Sequence, residues 1–234
     1  MTEAIYMVDS YLKAFDSVVE KTDGTHITLE RSAFYPSSGG QPNDLGKLIK
    51  GNEVYAVINV FKDGNEIVHE VEKEGLKVRD KIHGVIDWER RHKLMRMHTA
   101  AHLLSAVIHK ETGALITGNQ LNVELSRIDF NLEKFEKNKF YEYCKEANAL
   151  ILEKLPVKSH FIENIEKDEK LPTLLLKSLP ENLERIRVVE IEGKDIQADG
   201  GTHVGNTEEI GEIELTKVEN KGRNNRRIYY RLKP

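Results

Sequence analysis

The chain has 234 residues, 39% of them hydrophobic and 32% charged, with a formal net charge of −4. That is enough for one large domain or two small ones, it excludes a chain built of disordered tracts, and it argues against a non-specific nucleic-acid binder, which needs a broad positive surface. A single cysteine, Cys144, rules out an internal disulfide and makes a reducing, cytoplasmic setting the default; residues 1–6 do not look like a signal peptide, and no apolar stretch is long enough to cross a bilayer.

Up to Asp87 the chain reads as short strands. Residues 26–30 and 54–60 are β-rich, and Asp23-Gly24 and Asp63-Gly64 are hairpin dipeptides. Several short strands with regular turns predict a small barrel or sandwich. The period then changes. After Asp87, a candidate N-cap, residues 88–112 read as one long helix stopped by Gly113. Leu94, Met97, Ala101, Leu104 and Ile108 form its apolar stripe. His98 and His102 each follow a stripe residue, which places them about 100° around from it, on the rim of the buried face.

A second helix is predicted over 137–155, before Pro156, with Cys144 as a small buried residue within it. Residues 166–180 are charged, then proline-bounded, and carry no clear pattern. Residues 185–191 read as a strand leading into Asp199-Gly200-Gly201-Thr202-His203, and 212–219 with 227–232 read as a hairpin around Asn220-Lys221-Gly222. Helices between strands without a βαβ rhythm predict an α+β fold. The switch near Asp87 divides it into 1–87 and 88–234.

The chemistry concentrates in two segments. Histidines four apart on a helix share a face, so His98 and His102 can meet one ion. The 199–203 segment adds His203 and Asp199, with Gly200 and Gly201 letting the backbone fold sharply. Three nitrogens and one oxygen suit a zinc site, and such a site makes the chain a metal-dependent hydrolase. A lone histidine near an apolar stripe reads as a hydrogen-bonded core residue, and the helix pair alone reads equally well either way; the combination carries the metal reading. Asp195, just upstream, is placed to accept from a histidine N–H. The other histidines read as structural or surface residues.

At these residues the chain resembles the AlaX family, relatives of the alanyl-tRNA synthetase editing domain. His98 and His102 match the family's His-x-x-x-His motif. Residues 199–203 match its Cys-Gly-Gly-Thr-His motif with Asp199 in place of Cys. The stretch 34–46, containing Gly39, Gly40 and Gln41, looks like the hallmark of the medium-length AlaX-M type, and residues 86–91 and 221–227 are also similar. The resemblance implies an N-terminal β-barrel over 1–87 and an α/β editing domain of the threonyl/alanyl-tRNA synthetase type over 88–234. It implies trans-editing: hydrolysis of the ester joining serine or glycine to tRNA(Ala), at a site holding Zn2+, with no amino-acid activation. A carboxylate in place of a thiolate leaves metal identity and affinity open.

Within that resemblance, the metal either lowers the pKa of a bound water or orients the substrate. Backbone N–H groups at Gly39-Gly40, beside Gln41, or at Gly200-Gly201, beside Thr202, could face the developing oxyanion; a plain β-turn is the competing reading of Gly39-Gly40. The Thr117 hydroxyl, with Gln120 or Asn122 as fallback, would recognise a serine side chain. Arg223, Arg226, Arg227, Lys221 and Arg91 would contact tRNA phosphates. Of Tyr229 and Tyr230, strand alternation buries one. Two other functions fit the same residues: a tRNA-binding module with a degenerate metal site, and a zinc hydrolase of a small ester or amide. The sequence leaves the oligomeric state open.

Overall fold

A computed structural model describes residues 2–163 and 185–233. The stretch 166–180 lies outside the described residues. The chain divides into two compact units, 1–95 and 96–234.

In the first unit β1 (Glu3–Ala4) leads through a short 3-10 turn to β2 (Ala14–Asp23), β3 (His26–Leu29), β4 (Arg31–Ser32), β5 (Gly46–Lys50), β6 (Glu53–Asp63), β7 (Glu66–Val71) and β8 (Lys81–Ile86). Six of these close into a barrel in the order β2-β3-β7-β6-β5-β8, every pair antiparallel. The predicted turns close two of its hairpins: Gly24 and Gly64 take φ of 57° and 56°, the left-handed conformation glycine adopts without a Cβ penalty. Alternate residues point inward, so Phe15, Val19, Ile27, Leu29, Leu48, Val57, Val60 and Ile82 fill the interior with Phe34.

Helix α1 (Trp88–Thr112) begins at the predicted switch and runs across the division between the units. Asp87 caps it, its Oδ1 accepting the Arg90 N–H at 3.1 Å. Gly113, at φ 71°, ends it. The second unit continues with β9 (Ile116–Gln120), β10 (Ser126–Phe130), α2 (Lys137–Leu152), β11 (Val157–Glu163), β12 (Arg185–Ile191), β13 (Asp195–Ala198), β14 (Ile213–Asn220) and β15 (Arg226–Leu232). They form two antiparallel sheets, β14-β15-β10-β9 and β11-β12-β13. The fold is α+β, a closed barrel followed by helices and sheets. Helix α2 stops three residues short of the predicted end, with Leu152 exposed and Lys154 at a positive φ of 53°. Cys144 is buried, its thiol reaching the Ile213 carbonyl.

Helix α1 departs from the amphipathic reading. Met95, Thr99, Ala100 and Leu103 are as buried as the predicted stripe residues. Tyr230 of β15 donates its hydroxyl proton to the Met97 carbonyl at 2.7 Å, while His102 meets Asp195 of β13. With protein on both sides, the middle of the helix has no solvent face. His98 and His102 are therefore interior residues, 6% and 5% exposed, rather than rim residues.

Candidate metal centre

Helix α1 presents His98 and His102 one turn apart, their rings 5.2 Å from each other. The His203 ring lies 4.3 Å from the first and 4.7 Å from the second. Asp199 Oδ2 lies 3.1 Å from the Nε2 of His98, 3.1 Å from that of His102 and 2.8 Å from that of His203. The four ligand atoms all fall within 4.8 Å of one another. A tetrahedral zinc with nitrogen ligands at 2.0–2.1 Å separates its ligand atoms by about 3.3 Å. The donor set and the Asp199–histidine spacings of 2.8–3.1 Å suit a metal ion, with ligand atoms up to 4.8 Å apart drawing in on binding.

The loop is held at both ends. Asp199 Oδ1 accepts the Gly201 N–H at 2.7 Å, so one carboxylate oxygen closes the turn and the other faces the histidines. Neither Gly200 nor Gly201 has a positive φ, so the turn needs this bond rather than a left-handed glycine. Buried Arg187 of β12 donates to the Asp199 carbonyl at 2.7 Å. Thr99 Oγ1, between the two helix histidines, accepts the Val204 N–H at 3.2 Å and lies 3.1 Å from His203 Nδ1.

Burial drives the pKa of His203 down to about 4 and that of His98 well below its ordinary value, with neighbouring positive charge adding to the effect. Both are neutral near pH 7, the form a metal needs. Burial also opposes the charge on His102, but hydrogen bonds to Asp195 and Asp199 outweigh it and hold its pKa up at about 10. Burial opposes the charge on Asp199, and the surrounding imidazoles reverse that, keeping the carboxyl well below its ordinary range. Loading a metal therefore requires His102 to give up a proton.

The other predicted residues fare differently. Thr117 is exposed on β9, at an irregularity where Gly118 pairs with Asp129 and Ile116 with Phe130. Gln120 is exposed and accepts from Arg127 at 3.1 Å. Thr202 is fully buried. Gly39 and Gly40, both at positive φ, form the tip of a turn closed by reciprocal backbone bonds between Ser38 and Gln41, with Gln41 buried. They belong to the barrel unit.

Two of the five basic residues are not available to phosphate. Arg91 is completely buried, bonded to Asp44 and to the Ser10 and Ala33 carbonyls. Arg226 is 3% exposed and donates to the carbonyls of Glu133, Gly222, Arg223 and Asn225. Arg227 pairs with Asp129 at 2.6 Å. Lys221 and Arg223 are exposed. Tyr230 is the buried tyrosine of the β15 pair. The sequence reading missed Arg187, Thr99 and Gln197. The one signal for Arg187 was an arginine set among the apolar residues Ile186, Val188 and Val189 of its strand.

Residues 186–229 match the family model described as the Threonyl and Alanyl tRNA synthetase second additional domain, and residues 2–90 match tRNA synthetases class II (A). With the barrel and the His/Asp cluster, these place the protein in the class built from tRNA-synthetase domains of the editing type. An alanyl-tRNA editing protein AlaX-M of Methanosarcina barkeri is 49% identical over 241 residues, covering 99% of both chains. The AlaX-M of Saccharolobus solfataricus is 42% identical over the whole of both. The alanine–tRNA ligase of Pyrococcus furiosus is 35% identical over 93% of this chain and 24% of its own. The chain belongs to the AlaX-M family of alanyl-tRNA editing proteins.

Proposed function

We propose that this protein deacylates tRNA(Ala) mischarged with serine or glycine, in the cytoplasm, with His98, His102, Asp199 and His203 holding Zn2+. The observation that carries the reading is the convergence, in one buried cluster, of four donor atoms from segments 97 residues apart. A core histidine needs one hydrogen-bond partner; three imidazoles around one carboxylate oxygen go well beyond that. Relatives along the whole chain are named for alanyl-tRNA editing.

In this reading the barrel domain is 1–87 and the editing domain 88–234. Zinc bound there supplies Lewis acidity toward a water or an ester carbonyl. The chain's own residues do the rest. The Gly201 N–H is committed to Asp199, so the oxyanion role of this loop is assigned in this reading to the Gly200 N–H, ahead of buried Thr202. Thr117, exposed on β9, supplies a hydroxyl to a serine side chain, with the exposed Gln120 amide as the fallback, discriminating against alanine better than shape alone. Lys221 and Arg223 meet phosphates.

The test is deacylation of Ser-tRNA(Ala) and Gly-tRNA(Ala) with and without a chelator. His98→Ala should fall to near the uncatalysed rate while retaining tRNA binding. Turnover that survives both the chelator and His98→Ala overturns the reading.

A further inference from the structure

We propose that Asp195 and Gln197 are positioning residues for His102, fixing that ring to present Nε2 to the metal. The inference rests on the metal reading of the site and adds two residues to it. His102 Nδ1 lies 3.0 Å from Asp195 Oδ2. Gln197 Nε2 donates to both oxygens of the same carboxylate, at 3.0 Å each. Asp195 and Gln197 are two apart on β13, so their side chains leave the same face of the strand. The strand is itself fixed, pairing residue by residue with β12 from Ile191↔Asp195 to Val188↔Ala198.

An ionised carboxylate only accepts hydrogen bonds. Facing Asp195, the Nδ1 of His102 must carry the hydrogen. A metal-binding His102 is then restricted to the tautomer whose Nε2 lone pair points toward Asp199. His203 is supported differently. Its Nδ1 meets the Thr99 hydroxyl, which both donates and accepts and therefore permits either tautomer. Of these two rings, His102 is the one whose orientation, and whose tautomer once a metal is bound, a carboxylate sets. Gln197 in turn prevents the Asp195 carboxylate from turning away. Partners of this kind around a metal ligand contribute to affinity on the order of 10–100-fold.

The measurement is the affinity of the full chain for Zn2+ and Co2+, by competition with a chromophoric chelator. It is paired with NMR detection of the His102 Nδ1–H proton in the zinc-loaded protein. Asp195→Ala should weaken both ions on the order of 10–100-fold and abolish the protected Nδ1–H signal. Asp195→Asn keeps an acceptor oxygen and should recover most of the affinity and the signal. Gln197→Ala should weaken binding in the same direction by less. The inference is overturned if Asp195→Ala, folded by circular dichroism, binds both ions within about twofold of wild type, or if Asp195→Asn is no better than Asp195→Ala. Should Asp195→Ala fail to fold, an unchanged affinity in Gln197→Ala overturns the relay. A wild-type chain that binds neither ion removes the metal reading and the relay together. Wild-type protein that binds metal but leaves Ser-tRNA(Ala) intact removes the deacylase reading alone.

Discussion

At the scale of single residues, buried polar groups hold the barrel unit in place, and their chemistry gives it a pH dependence. His69 is completely buried, its rings of contacts being Ser32 Oγ at 2.7 Å and the Ile27 carbonyl at 3.0 Å. Burial lowers its pKa from 6.5 to about 4. The folded chain then holds His69 neutral while an unfolded chain binds a proton below about 6.5. Stability contributed by the neutral ring is fully present above pH 6.5 and is lost as pH falls toward 4, by about 3 kcal/mol in all. His69→Gln, which does not titrate there, should show a shallower loss over that window in urea-unfolding midpoints. An equally steep loss would remove His69 as a source. The same scale shows what sequence could reveal. His98 and His102 were legible because helical spacing places them without knowledge of any partner. Arg187 and Thr99 were not, because their roles depend on which strand and which loop lie opposite. Arg91 was misread for the same reason: a basic run looks like a surface until Asp44, 47 residues away, is seen inside the fold beside it.

Among elements, boundaries set by local chemistry were readable. Asp87 and Gly113 fix α1, and the Asp-Gly dipeptides fix two barrel hairpins. The burial of α1 was not, since the stripe rule assumes one wet face and the helix here has protein on two sides. Thr117 sits where β9 slips its register against β10, and a slip of that kind changes which face a side chain takes. The barrel also has a tight position that alternation alone cannot expose. Gly84 of β8 lies opposite Phe15 of β2, and a Cβ there would come within 2.5 Å of the Phe15 ring. Phe15 is 7% exposed and packs edge-on against Phe34, so it has little room to retreat. Gly84→Ala should destabilise by roughly 1–3 kcal/mol through overpacking. Adding Phe15→Val should make the alanine substitution cheaper than it is alone, measured as a double-mutant cycle on unfolding free energy. Strictly additive effects would show that the ring is not the obstacle.

For the whole molecule, the difficulty is how a chain of net charge −4 engages a polyanion. The basic C-terminal run is the natural answer, but the fold divides that run by role. Arg226 holds the hairpin and its surroundings through backbone carbonyls, and Arg227 is committed to Asp129. Lys221 and Arg223 remain exposed; the partner of Lys221, Glu219, stands 3.6 Å away. Exposed ion pairs at that distance contribute little and give way to a better anion. On the proposed reading, phosphate affinity from this hairpin would fall on those two side chains, and its signature would be salt dependence rather than specificity. Each phosphate neutralised adds about 0.9 to the slope of log K against log salt on a duplex stem. Lys221→Ala with Arg223→Ala should weaken binding of tRNA(Ala) and other tRNAs alike, and reduce that slope by about 2. Arg226→Ala acts through the fold instead: it takes the side-chain donor from the carbonyls of Glu133, Gly222 and Arg223 and should lower the melting temperature of the chain before it changes the slope. If Lys221→Ala with Arg223→Ala leaves the slope untouched, the tRNA backbone is held by another part of the surface.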